Sequence, residues 1–181
     1  MKEIIFNINI FIYTAIVAAL FFSIKNPKQS IWPPVQKKSW QYKLIWTLFY
    51  VGFSLNAPLI VVSWNTWNIP HYIRFGVGGP LAFFGGVLLV TAIITLGWKA
   101  TYGLQDQFIE HGIYKYSRNP QYIGDVLLFL GVAIVANSMY VCVIHSIMAV
   151  FFVCAPLSEE GWLTLRYGHK YKNYKKTTRR F

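Results

Sequence analysis

Long apolar runs separated by short polar connections dominate the chain. A hydrocarbon core ~30 Å thick asks for about 20 apolar residues at a rise of ~1.5 Å each. Five runs reach or approach that length, at residues 4–24, 44–64, 80–98, 122–136 and 139–157. Asn137-Ser138 leaves the last two almost no loop, so they read as a helical hairpin. The pattern predicts an all-α fold, a polytopic membrane protein with five transmembrane helices in a single integral membrane domain spanning residues 1–181.

Composition agrees with the pattern: 55% of residues are hydrophobic, 18% aromatic and only 13% charged, far from a soluble domain. Charge placement tests the count of spans independently, because cytoplasmic connections collect Lys and Arg. Lys25, Lys28, Lys37, Lys38 and Lys43 fall in the first connection, and Lys99, Lys115 and Arg118 in the third. The tail adds Arg166, Lys170, Lys172, Lys175, Lys176, Arg179 and Arg180. Five spans therefore put fifteen of the seventeen basic residues on one side, with Lys2 and Arg74 on the other. An even number of spans spoils this division. The N-terminus is expected outside and the tail in the cytoplasm, in a multi-pass protein that suits a prokaryotic cytoplasmic membrane. The net charge of +11 follows from this topology and does not call for nucleic acid, for which no soluble domain remains.

Lys2 and Glu3 cancel instead of forming a positive leader, so the first run is expected to be a retained helix. Cys142 and Cys154 lie inside the last run and read as small buried hydrophobes, with no metal or disulfide framework. The connection from Lys25 to Lys43 carries Pro27, Pro33 and Pro34 and is expected to be a surface loop. Trp64, Trp67 and Tyr72 in the second connection suit the headgroup level. Gly76, Gly78, Gly79, Gly85 and Gly86 follow no strand, so close helix packing explains them better than a phosphate loop. His145 and Asn56, inside spans, are expected to hydrogen-bond between helices.

Chemistry concentrates in two segments, at about 112–124 and 157–181. Asn119-Pro120 is a favoured helix start, and its free N–H groups and positive dipole end, beside Arg118, make an anion site. Arg118 alone is more often a topology charge or a headgroup contact. Glu159-Glu160 could in part be a first-turn acidic pair: Pro156 ends or kinks the fifth helix and Ser158 can cap a new one. Two adjacent carboxylates at a membrane boundary, in a chain with six acidic residues, nevertheless ask for a cationic or hydrogen-bonding partner. Asp125, early in the fourth helix, is expected to pair with a base or to serve function. From Gly161, Leu163, Tyr167, Tyr171 and Tyr174 recur at helical spacing among basic residues, which reads as a C-terminal interfacial helix. The two segments together suit a small zwitterion held at the membrane surface.

Gly112-x-Tyr114-x-x-x-Arg118-x-Pro120-x-Tyr122-x-Gly124, followed by Glu159-Glu160, Leu163, Tyr167-Gly168, Tyr171, Tyr174 and Arg179, resembles the isoprenylcysteine carboxyl methyltransferase and phospholipid methyltransferase group of integral membrane enzymes. The resemblance covers about Leu104 to Phe181; the first two helices share only their apolarity. It implies an S-adenosylmethionine site built by the arginine block and the glutamate pair and closed by the C-terminal helix. The implied cofactor-binding residues are Tyr114, Ser117, Arg118, Asn119, Pro120, Tyr122, Gly124, Glu159, Glu160 and Tyr171, and catalysis is expected to rest on Arg118 and Glu160. Where that family has a histidine before the proline, this chain has Asn119, which hydrogen-bonds but does not titrate near neutral pH.

In this reading Arg118, Asn119 and the helix start take the cofactor's carboxylate, Tyr122 positions the cofactor, and the glutamates take its ammonium or ribose hydroxyls. Adjacent helical positions point about 100° apart, and Glu160 is taken as the inward one. The implied partners are membrane lipids and a lipidic or hydrophobic methyl acceptor entering sideways from the bilayer. Two alternatives stay open: an NADPH-dependent membrane reductase of the sterol reductase type, whose C-terminal part is similar around Arg118-x-Pro120-x-Tyr122-x-Gly124-Asp125, and a non-catalytic membrane subunit that keeps the fold.

Overall fold

The structure, a computed structural model, describes residues 1–34, 36–102 and 108–181; Leu104, where the family resemblance begins, lies outside them. Among the described residues, four helices are long and apolar enough to cross a membrane: α1 (Lys2–Lys25), α2 (Trp40–Val62), α3 (His71–Leu96) and α5 (Met139–Tyr167). A shorter apolar helix, α4 (Pro120–Ala136), and a basic helix, α6 (His169–Thr177), complete the main elements. Exposed Phe83, Phe84 and Ile94 on α3, each more than 60% accessible, make sense against lipid and not against water.

Three boundaries differ from the sequence expectation. Helix α3 begins at His71 instead of residue 80, because the Arg74 guanidinium donates to the Val135 carbonyl at 2.8 and 3.1 Å and also to Asn65 Oδ1. A charge that is fully hydrogen-bonded can sit in a helix where the sequence alone suggested a loop. Pro156 does not end the last span, and Ser158 caps nothing. Helix α5 runs on to Tyr167 because Phe152, Ala155, Ser158 and Glu160 are all buried by neighbouring segments, which outweighs the ~3 kcal/mol that an interior proline costs. The tail is accordingly not one helix from Gly161. Gly168, at φ +53°, turns the chain between α5 and α6, a conformation that other L-residues adopt only at a cost.

Polar groups tie the helices at both depths. At the end opposite the arginine block and the glutamate pair, Asn137 takes the left-handed conformation (φ 51°) that closes the α4–α5 hairpin, and its side chain donates to Asn65 Oδ1 and the Trp67 carbonyl, each at 2.8 Å. Trp64 and Trp67 stay partly exposed there, as interfacial anchors do. Deeper in, His145 Nδ1 donates to the Phe129 carbonyl at 2.7 Å, its other ring nitrogen lies 3.3 Å from Asn56 Oδ1, and the Asn56 amide donates to Tyr13 at 3.4 Å. These contacts join α1, α2, α4 and α5, as expected for His145 and Asn56.

Helices α3 and α4 form the most extensive contact, through four glycines spaced seven apart on each helix. A Cβ on Gly85 would lie 2.4 Å from Leu128 N, one on Gly124 2.6 Å from Leu89 N, one on Gly131 2.2 Å from Ala82 N and one on Gly78 2.7 Å from Ile134 Cγ2. Backbone meets backbone along this seam, as small residues permit in membranes. Gly76 and Gly79 face open space, so helix packing explains only part of the glycine cluster. Gly131→Ala should therefore force the helices apart and lower the thermal midpoint in detergent, at about 1–3 kcal/mol as for other overpacked sites, whereas Gly76→Ala should leave it unchanged. Equal midpoints for both variants would contradict the seam.

Candidate functional site

The turn at Gly112–Lys115 and the start of α4 bring the arginine block against the end of α5. Residues 117–119 then pair with the tail. Ser117 and Arg179 form a short parallel bridge, Arg118 N–H donates to the Arg179 carbonyl at 2.8 Å, and both Ser117 Oγ and Asn119 Nδ2 donate to the Arg180 carbonyl at 3.1 and 3.0 Å. Pro120 occupies the first helical position, as the sequence suggested, but the Asn119 side chain makes no capping bond. It is turned to the tail instead, because the Arg180 carbonyl needs a donor at this buried point.

Glu160 is the focus of these segments. Its carboxylate accepts from Arg118 Nη2 at 2.7 Å, receives the Arg180 fork at 2.8 and 3.0 Å, and pairs with Lys175 Nζ at 3.0 Å. Arg118 also donates to the Thr178 carbonyl at 2.6 Å. The side chains of Arg118 and Glu160 are 8% and 9% exposed, a buried pair to which Lys175 and Arg180, both partly exposed, add charge from the solvent side. Glu160 thus binds the protein's own tail, which differs from its expected part as the inward carboxylate.

Glu159 turns the other way. Its Oε1 accepts from the Tyr122 hydroxyl and, at 3.1 Å, from Trp32 Nε1. It lines a cleft with Tyr114, Arg118, Asn119, Gln121 and Tyr122, walled by Trp32, Pro33, Leu96, Ala100, Trp162 and Leu163. Its cavity volume is about 80 Å³, below the ~300–1,000 Å³ typical of small-molecule sites, so a larger ligand has to widen it. Two buried polar atoms of residues that line it, Arg118 Nε and the Tyr114 hydroxyl, have no hydrogen-bond partner among the described residues, and leaving such atoms bare costs ~1–3 kcal/mol each. Burial, with Glu159 nearby, pushes the Tyr114 hydroxyl well above its usual range, so it remains a neutral donor.

Of the residues expected at a site, Tyr114, Arg118, Asn119, Tyr122 and Glu159 meet at the cleft. Ser117, Pro120 and Glu160 hold that arrangement from behind. Tyr171 is 2% exposed and packs edge-on against Phe108, 6.0 Å between centroids, where it supports α6. Neighbouring Tyr174 donates to the Tyr114 carbonyl at 2.5 Å, and burial pushes its hydroxyl up to about 12. Gly124 belongs to the α3–α4 seam, where only a missing side chain lets Leu89 approach. Asp125 is buried with no basic partner among the described residues, against the expected ion pair. Trp32 was missed altogether. The Lys25–Lys43 connection is not simply a surface loop: Trp32, Pro33 and Pro34 are buried, because the indole finds both apolar rings and polar acceptors inside. Only a tryptophan among prolines hinted at this.

A helical membrane protein with an ion-lined cleft at one end of the bundle is thus defined by fold and site. A family model for phospholipid methyltransferase matches residues 73–170, more than half of the chain, and the chain belongs to that family of membrane methyltransferases. The match spans the arginine block and both glutamates but neither Trp32 nor the tail beyond residue 170. No curated protein and no solved structure matches the chain.

The ion cluster yields a direct test. Glu160→Gln leaves three cations facing one another, and removing one partner of a buried pair costs about 3–5 kcal/mol. The variant should melt earlier than the parent, and trypsin should cleave after Lys175, Lys176 and Arg179 much faster. Unchanged cleavage of the tail would show that Glu160 does not hold it.

Proposed function

We propose that this protein is an S-adenosylmethionine-dependent methyltransferase acting on a lipidic acceptor at the cytoplasmic face of a prokaryotic membrane. The observation that carries it is the cleft beside the α4 N-terminus, which Glu159, Arg118 and Tyr114 line together. One carboxylate against Arg118, Lys175 and Arg180 leaves two positive charges in excess at that helix start, which favours the carboxylate of an amino-acid moiety. Glu159, on the other side, suits a cationic group. Tyr114 offers a hydrogen-bond donor between them.

The cofactor supplies, when bound, an electrophilic methyl group on a sulfonium. The displacement needs alignment and exclusion of water more than proton transfer, and positioning can contribute roughly 7–11 kcal/mol. Asn119 in place of a titrating histidine is compatible with that demand. Leu96, Ala100, Trp162 and Leu163 give the cleft an apolar flank, along which an acceptor with a hydrocarbon tail can enter from the bilayer. Helix α4, at 17 residues, spans ~25 Å, and we count it as a fifth crossing because the basic residues divide cleanly only with an odd number. The reductase and non-catalytic alternatives gain no second observation, and the binding test below separates them.

Isothermal titration of the detergent-purified protein should show S-adenosylhomocysteine binding and no NADPH binding. Glu159→Gln should weaken it about tenfold or more, as loss of a charge-assisted contact does, and Arg118→Ala likewise. A parent that ignores S-adenosylhomocysteine, or prefers NADPH, would sink the proposal.

Topology gives a second check. In a background lacking Cys142 and Cys154, single cysteines at Lys37, Lys115 and Lys176 should all react with an impermeant thiol reagent from the cytoplasmic side only. Labelling of the Lys115 position from outside would place the cleft on the wrong face.

A further inference from the structure

The first connection lies outside residues 73–170, yet it delivers a side chain to the centre of the cleft. Trp32 is 6% exposed. Its Nε1 lies 3.1 Å from Glu159 Oε1 and 3.2 Å from the Tyr122 hydroxyl, and that hydroxyl donates to the same carboxylate oxygen. Two donors therefore converge on Oε1, while Oε2 has no partner among the described residues. The indole does not depend on this contact for its place. Trp32 N–H and Ile31 N–H donate to Ser23 Oγ at 3.0 and 2.9 Å, and the Trp32 carbonyl accepts from Ser158 Oγ at 2.5 Å. Its ring meets Phe49 and Phe151 edge-on at 5.7 and 5.6 Å. Helices α1, α2 and α5 thus fix the indole, and its one donor is shared between Glu159 Oε1 and the Tyr122 hydroxyl.

We infer that Trp32 is a positioning residue for methyl transfer: with Tyr122 it locks Glu159 through Oε1, so that Oε2 is presented to the cationic part of the cofactor. The inference rests on the cofactor site proposed above. A carboxylate on an apolar wall would otherwise sample several rotamers, and freezing it before binding lowers the cost of ligation. The α1–α2 part of the chain then contributes to cofactor binding as well as to the membrane scaffold.

A double-mutant cycle with S-adenosylhomocysteine as the probe tests this, using full-length parent, Trp32→Phe, Glu159→Gln and the double variant, with thermal midpoints measured without ligand. Phe keeps the ring contacts and removes only the N–H. Trp32→Phe should bind about tenfold more weakly, in line with a hydrogen bond to a charged group. The double variant should be no weaker than Glu159→Gln alone, because the indole has nothing left to position. Multiplicative losses, or a silent Trp32→Phe, overturn the inference while leaving the cofactor site in place. A silent Glu159→Gln removes the site itself, and this inference with it. Should Trp32→Phe fail to accumulate, Ser158→Ala releases the Trp32 carbonyl without touching the indole. It should weaken binding several-fold in the parent and not at all on Glu159→Gln; a loss of equal size in both backgrounds counts against the positioning role.

Discussion

A single buried carboxylate organises the functional end of this molecule. Glu160 binds Arg118 from the block before α4, and Lys175 and Arg180 from the tail, all within 3.0 Å. Neither Arg118 nor Glu160 could enter so buried a place alone, since the desolvation of each amounts to several kcal/mol, whereas Lys175 and Arg180 reach in from a partly exposed position. Together they are compensated, and the remaining donors of Arg118 and Asn119 are absorbed by the carbonyls of Thr178 and Arg180. The cluster thereby joins segments about forty and sixty residues apart in the chain. It also fixes the side chain of Arg118 at the mouth of the α4 dipole.

The position of that dipole is set elsewhere, by the glycine seam. Helix α4 reaches the cleft at the correct depth only because Gly124 and Gly131 let α3 come within backbone contact, and the Arg74 fork on Val135 stops α4 from sliding at its far end. A site at one membrane face is therefore held in register by contacts a whole helix away. Helix packing in lipid lacks a hydrophobic driving force, so such close backbone contact and polar locks have to do this.

Much of this was legible in the sequence. The apolar helices, the α4–α5 hairpin, the Asn119-Pro120 helix start, and the meeting of the arginine block with the glutamate pair all follow from run lengths, turn residues and the rarity of acids in an apolar chain. What escaped depends on long-range partners. Arg74 looked like a loop charge until Val135 and Asn65 satisfied it, and Pro156 looked like a helix end until buried neighbours on both sides held α5 together. Gly124 looked like part of a ligand motif because local spacing cannot distinguish a glycine needed by a cofactor from one needed by Leu89. The choice between Glu159 and Glu160 was undecidable from pattern, since two adjacent helical positions are equivalent until something packs on each side.

For the ligand proposed above, the adjacency of the two glutamates is itself the structural solution. A zwitterionic ligand needs positive and negative poles fixed a short distance apart, in a setting where opposite charges would collapse onto each other. With a single acid at the end of α5, Arg118 would be drawn to it and the cleft would be neutralised. Two acids about 100° apart on one helix divide the work: Glu160 occupies the cations and still leaves them in excess, and Glu159 is held away by neutral donors, the Trp32 indole and the Tyr122 hydroxyl. Neutral donors hold the Glu159 carboxyl in place without bringing a compensating charge to it. That separation requires Trp32 from the first connection, Tyr122 and Glu159 from the family segment, and Lys175 and Arg180 from the tail. The cleft is consequently a property of the whole chain, although the family segment alone carries its motif.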